Sequence, residues 1–363
     1  MQLRYSLYLN SIGYSISAQA YLRAIQKVQP ERSVKVSAIN GISSFKKGVS
    51  EEYRKWFMKL RDTPAEASYI SIQHCIPRIY ISDKAQKRIG VAVYETIDPP
   101  RNWIEKMNEM DLIVTASHFN EGIFKNAGLR VPLRVVPHCF DSEMFHKDVR
   151  PSGRFNMFTF FYMGTWRKRK NFVPLLRAFY DGFAFKDNVC LLLKTDKSKQ
   201  LKNTIRTVKN EKWKTKDTAP VYIEEETVDF EEIPKIMKKA DVYISPSLGE
   251  GFNIPSAHAM ALGIPLIITR YGGCLEFAKP ELCTYLHPKG YRKIPQMDGL
   301  SQFAGKIWPN IPMEEIRDKM LFAYHSRKHI QEKAKQAYEY VHQHFNDEII
   351  GRRLVSVIEE LEN

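Results

Sequence analysis

A chain of 363 residues with 55 Lys and Arg against 41 Asp and Glu carries a formal charge of +14, and 44% of it is hydrophobic. That content supports packed cores and excludes a disordered or fibrous chain, and the length suits two ordinary domains better than one. The excess of positive charge predicts an anionic partner: a phosphate-bearing donor, an acidic membrane surface or nucleic acid.

No run of eighteen apolar residues occurs, so no membrane-spanning helix is expected. The first ten residues lack the layout of a signal peptide, which predicts a cytoplasmic protein, or one peripheral at the inner membrane surface. Cys75, Cys139, Cys190, Cys274 and Cys283 are scattered and odd in number. They read as reduced, small hydrophobes rather than as a zinc site or redox pair.

Apolar strands alternate with amphipathic helices along the chain. Strands are predicted at 88–94, 112–117 and 133–138, with helices at 101–110 and 118–127. A polar break at 146–155, with Pro151 and Gly153, reads as a hinge. Alternation then restarts with strands at 158–164, 189–195, 241–247 and 265–269, and helices at 171–182, 229–240 and 255–262. Strand–helix alternation predicts α/β architecture: parallel sheets covered on both faces. The Lys- and Thr-rich segment 200–217 is expected to be a loose surface excursion. The tail is expected to be helical over 313–344, with a last amphipathic helix over about 347–361.

The most informative stretch runs from Ser245 to Pro265. A buried strand ends, a loop with Glu250 and Gly251 follows, and Pro255 opens a helix, where its missing donor does no harm. Ligands of doubly wound sheets collect at that strand edge, and the free N–H groups of a helix start favour anions. Glu250 is placed to accept hydrogen bonds from sugar hydroxyls. A second stretch, Gly164-Thr165-Trp166-Arg167-Lys168-Arg169-Lys170-Asn171, sets four consecutive cations after another strand. A charge run alone is usually a solvated face; its place at a parallel strand's end argues for anion binding.

These stretches resemble the retaining, nucleotide-sugar-dependent glycosyltransferase family with the GT-B fold, glycosyltransferase family 4-like. Glu250, Gly251, Phe252, Pro255, Ala259, Met260, Ala261, Gly263 and Pro265 match its signature. The family's second glutamate is His258 here, and its first basic residue after the strand glycine is Thr165. The resemblance implies a reading for each segment. Arg169 and Lys170 bind the donor pyrophosphate, with Glu250 and Glu95 completing the catalytic set. Gly13, Lys194, Gly251, Phe252, Asn253, Ile254, His258, Gly272, Gly273 and Glu276 line the donor. His74 and Tyr94 lie on the acceptor side, and His138 is structural.

The implied fold is GT-B, with two facing Rossmann-like domains over 1–150 and 151–345 and a C-terminal helix, 346–363, crossing back to the first. The implied reaction transfers a sugar from a nucleoside diphosphate sugar to a hydroxyl with retention. No cofactor is expected, and no metal, since cations stand in its place. Three acceptors remain open at this stage: a lipid-linked or envelope glycan, hydroxymethylated DNA, or a soluble metabolite. A non-catalytic sugar-nucleotide binder is the alternative from another class.

Overall fold

The computed structural model describes residues 1–9, 13–41, 50–213, 217–294 and 303–363, the side chains at 199 and 212 excepted. The chain divides into two units. The first holds Met1–Ser142, Val228–Glu231 and His342–Asn363; the second holds Glu143–Thr227 and Glu232–Val341.

The first unit contains β1 (Gln2–Leu7), α1 (Gly13–Val28), β2 (Val34–Ala38), α2 (Glu51–Asp62), β3 (Tyr69–His74), β4 (Lys87–Val91), α3 (Arg101–Met107), β5 (Leu112–Thr115), α4 (His118–Asn126) and β6 (Leu133–Val135). Its six strands are all parallel, in the order β2-β1-β3-β4-β5-β6. The chain therefore reverses its direction of winding between β1 and β3, the kind of crevice where ligands of open α/β sheets bind. Every residue of β3 is buried, as a strand covered on both faces requires. Side-chain caps start two of the helices: Ser50 accepts from Tyr53 N in α2, and Ser117 from Asn120 N in α4.

The second unit contains β7 (Phe158–Met163), α5 (Phe172–Gly182), β8 (Val189–Lys194), α6 (Lys199–Lys212), β9 (Val221–Glu224), α7 (Ile233–Met237), β10 (Val242–Ser245), α8 (Ile254–Ala261), β11 (Leu266–Thr269), β12 (Thr284–Leu286), β13 (Tyr291–Lys293), β14 (Ile307–Pro309) and α9 (Met313–His325). Helix α10 (Arg327–His344) ends just past its boundary, and α11 (Asp347–Glu362) closes the chain. Six parallel strands follow the order β12-β11-β10-β7-β8-β9, with a switch point between β7 and β10. β13 and β14 pair separately as an antiparallel ribbon.

Helix α11 packs on α1 and joins the first unit's core through Ile350, Leu354, Val355, Val357 and Ile358. Gly351 makes that close approach possible: a Cβ there would lie 2.4 Å from the Ala24 carbonyl oxygen. Ion pairs of Lys27 with Asp347 (2.8 Å) and of the N-terminal ammonium with Glu362 (3.2 Å) flank the contact.

Two expectations are corrected, and a third gains detail. The segment 200–217 is not a loose excursion, since most of it is α6. Ser198 caps that helix by accepting from Leu201 N, and Leu201 and Val208 are buried. The 313–344 stretch is helical as expected, in two helices that break at Ser326, whose N–H turns back to Phe322 O at 2.8 Å. The 229–240 helix shrinks to a 3-10 turn and the five-residue α7, with Pro234 among its first residues.

Candidate functional site

The loops that follow β7 and β10 flank the second unit's switch point, and they are tied to each other. Lys170 Nζ lies 2.6 Å from Glu250 Oε1, and Arg169 Nη1 lies 3.0 Å from Glu250 Oε2. Arg169 also donates to Gly249 O, and Leu248 N donates to Arg169 O at 2.8 Å. The three side chains are 15%, 11% and 10% exposed for Arg169, Lys170 and Glu250. Burial by itself would raise the Glu250 pKa, but the two cations and their hydrogen bonds bring it down to about 2. Glu250 is therefore ionised at neutral pH, and its charge offsets one of the two formal positive charges beside it.

The backbone around Glu250 is braced from a third strand. Gly273 N donates to Glu250 O at 2.8 Å. Gly272 has φ +86°, and a Cβ there would sit 2.9 Å from Glu250 O, so the position excludes a side chain on two counts. Glu276, half-buried, ends the 3-10 turn Gly273–Glu276. Gly251 is buried, and Phe252 packs on Phe277 with centroids 5.1 Å apart. Asn253 takes the left-handed conformation, φ +75°, as cap of α8, and its Nδ2 donates to Ser245 Oγ at 3.0 Å. Ile254 begins the helix, so the first free N–H groups of α8 fall in this loop.

Lys194 ends β8 next to Met163, is 7% exposed and donates to Glu226 O. Burial lowers its pKa, partly offset by Glu224 and Glu226. His258 lies inside α8, 3% exposed, with its ring stacked on Phe145 at 3.9 Å and 25°. Burial pushes it down to about 3, so it is a neutral imidazole at physiological pH. A ring covered in this way differs from the open carboxylate that the family motif places there.

In the first unit, Gly13 opens α1 and is exposed; Asn10, Ser11 and Ile12 of the same loop lie outside the described residues. Ser15 Oγ donates to Tyr8 O at 2.7 Å, and Tyr14 Oη donates to Val93 O at 2.9 Å. These bonds fix the start of α1 beside the end of β4, where half-buried Glu95 stands. Tyr94 is fully buried, edge-on to Trp103 at 5.2 Å, with its backbone held by Asn120. His74 is 1% exposed. Its Nδ1 is 2.8 Å from Tyr5 Oη and its Nε2 is 2.9 Å from Ser17 Oγ. Both ring nitrogens are engaged within the unit, and the ring ties β3 to β1 and α1. His138, at 6.2 Å from His74, is buried and pushed down to about 3 by that burial.

The site also uses residues to which the sequence alone assigned no role. Asn171 is buried, left-handed at φ +61° and caps α5 directly after the cations. An Asn where neighbouring residues predict a helix start is a usable signal, because Asn tolerates positive φ better than most residues. Ser245 and Ser247 form a buried hydroxyl pair beneath Asn253, with oxygens 3.4 Å apart.

Residues 158–297 match the family model described as Glycosyl transferases group 1. Over that segment the chain is similar to glycosyl transferases of group 1. The segment runs from β7 past β13 and contains the whole Arg169–Lys170–Glu250 trio. An uncharacterised glycosyltransferase of Methanocaldococcus jannaschii is 36% identical over 63 residues, which are 17% of this chain and 16% of that protein. Uncharacterised protein 356 of Sulfolobus islandicus rod-shaped virus 1 is 22% identical over 286 residues, 76% of this chain and 77% of its own length. Among solved structures, Anabaena HepE in complex with UDP and glucose superposes with a TM-score of 0.71 at 13% identity, covering 99% of this chain and all of that one. The fold is GT-B.

Proposed function

We propose that the protein is a glycosyltransferase that moves a sugar from a nucleoside diphosphate sugar to an acceptor hydroxyl with retention at the anomeric carbon. The observation that carries this reading is the buried trio at the switch point: two fixed cations facing the edge where ligands collect, held by a carboxylate that stays ionised. The similarity to glycosyl transferases of group 1 and the UDP and glucose bound by HepE support the donor class.

In the proposed reaction the bond between the anomeric carbon and the diphosphate oxygen breaks, and charge gathers on the leaving diphosphate. Arg169 and Lys170 stabilise that charge in a partly dry site, where a preorganised cation is worth far more than in water. Glu250 aims both cations and accepts hydrogen bonds from the sugar. The acceptor oxygen forms the new bond on the same face and passes its proton to the departing phosphate. Retention rests on the family resemblance, as does the choice of a lipid-linked or envelope glycan as acceptor. Lys194, Gly251, Phe252, Asn253, Ile254, Gly272, Gly273 and Glu276 are proposed to shape the donor site. His258 is proposed to meet the nucleoside through its ring rather than through a carboxylate.

A thermal-shift panel of nucleoside diphosphate sugars, followed by mass spectrometry of products formed with glycan, lipid and oligonucleotide acceptors, tests the reading. Stabilisation by one sugar nucleotide and a product heavier by one sugar residue are expected. Absence of both across the panel would overturn it.

A further inference from the structure

We propose that the ribbon of β13 and β14 docks the protein on an anionic phospholipid headgroup surface. The ribbon stands apart from the six-stranded sheet. One of its strands is anchored: Trp308 and Pro309 of β14 are buried, and Phe303 packs near Trp308 with centroids 6.4 Å apart. The other strand faces outward, with Tyr291, Arg292 and Lys293 all exposed and Tyr291 at 62%. Backbone bonds fix the frame: Lys289 N to Asn310 O at 2.8 Å, Asn310 N to Gly290 O at 2.9 Å and Ile294 N to Lys306 O at 2.7 Å. Exposed cations on a braced frame keep their spacing.

Among the described residues, the cations of β13 and of the turn before it form no ion pair, although Glu315 bonds His287 nearby. Residues 287–294 contain Lys289, Arg292 and Lys293 and no carboxylate. Among the described residues none of these three makes an ion pair, whereas cations elsewhere on the unit do, such as Arg177 with Glu211, Lys202 with Glu225 and Arg317 with Asp181. Arg270, at the end of β11, is exposed and adds a fourth cation. Two cations without ion pairs and an exposed Tyr on β13, with Lys289 in the turn before it, suit a plane of negative headgroups, where Tyr sits at headgroup depth. A nucleic-acid strand is favoured less, because stacking successive bases needs a row of aromatic platforms and the exposed strand offers Tyr291 alone.

The ribbon also reaches the candidate site. The Tyr291 ring meets Tyr271 edge-on at 6.3 Å, and Tyr271 precedes the Gly272 that packs on Glu250. Docking through the ribbon would hold the donor loop near the headgroup plane. The inference goes beyond the proposed transfer reaction and does not require it.

Vesicle co-sedimentation decides the matter, using neutral phosphatidylcholine vesicles and vesicles with about a third phosphatidylglycerol across a salt series. Each cation near such a surface contributes about a fivefold factor in affinity. The wild type is expected to bind anionic vesicles at low salt, to release them as salt rises, and to ignore neutral ones. Lys289→Glu, Arg292→Glu and Lys293→Glu together should weaken binding by at least about a hundredfold. The same positions changed to Gln should weaken it in the same direction, with UDP binding and melting temperature unchanged. A control with Arg206→Glu, Lys209→Glu and Lys328→Glu, equal in charge and placed on other surfaces, should stay within about threefold of wild type. No binding by the wild type at low salt overturns the proposal, as does equal loss in the control, or binding of oligonucleotides without vesicles. Failure of every protein to bind UDP would count against the proposed transfer reaction and leave the vesicle result standing.

Discussion

Replacing Glu250 with Gln keeps the side chain's volume and removes its charge, leaving Arg169 and Lys170 without their shared carboxylate in a site where each is 15% exposed or less. The Glu250 pKa falls from 4.5 to about 2 on folding. A depressed carboxylate contributes stability that is fully present above its unfolded pKa and is lost as pH falls through the folded one. The drop of about 2.5 units corresponds to about 3 kcal/mol at pH 7. For a domain of 150–250 residues this predicts a melting temperature lower by about 6–12 °C. The difference from wild type should hold from pH 8 down to pH 5 and narrow below that. Function should separate from binding. Turnover is expected to fall about a hundredfold, the typical loss for one positioned electrostatic group, while UDP binds at least as well because the cations are released to it. Calorimetric melts at several pH values, steady-state turnover and UDP titration check the three arms. Wild-type turnover, or an unchanged melting temperature at pH 7, would refute the reasoning.

Activity should survive EDTA, since Arg169 and Lys170 take the charge of the leaving diphosphate; full loss on chelation, restored by manganese or magnesium, would contradict that role. Buried His138 and His258, both pushed down to about 3, contribute stability that is complete above pH 6.5 and lost progressively toward pH 3. At pH 5 each should cost about 2 kcal/mol relative to pH 7. Urea unfolding at the two pH values measures this, and His258→Gln should flatten the slope by one proton. Gly351→Ala should destabilise the protein by about 2 kcal/mol, because its new Cβ would press on the Ala24 carbonyl where helix α11 crosses α1. A melting temperature equal to wild type would show that the two helices part without cost.

The second sheet's central strands were legible in the sequence where a signal was local, whereas β1, β2 and β3 of the first sheet were given no predicted range. The runs that became β7, β8 and β10 are short, apolar and bounded by polar turns, and they were located to within a few residues. The loop from Glu250 to Pro255 was legible because strand end, glycine and helix-opening proline lie side by side in the chain. Helix α6 was not, since Lys and Thr dominate its composition; its two buried anchors, Leu201 and Val208, and the Ser198 cap matter only once there is a sheet to pack against. The catalytic proposal depended most on the tertiary structure. Lys170 and Glu250 are 80 residues apart, and no periodicity links them. They meet because the sheet reverses its winding and sets β10 beside β7. The same holds for His258, whose place in the motif was plain from the sequence. Its neutral state is set by burial, and the Phe145 ring that covers it comes from a residue far away in the chain, so that neither is visible until the unit has folded.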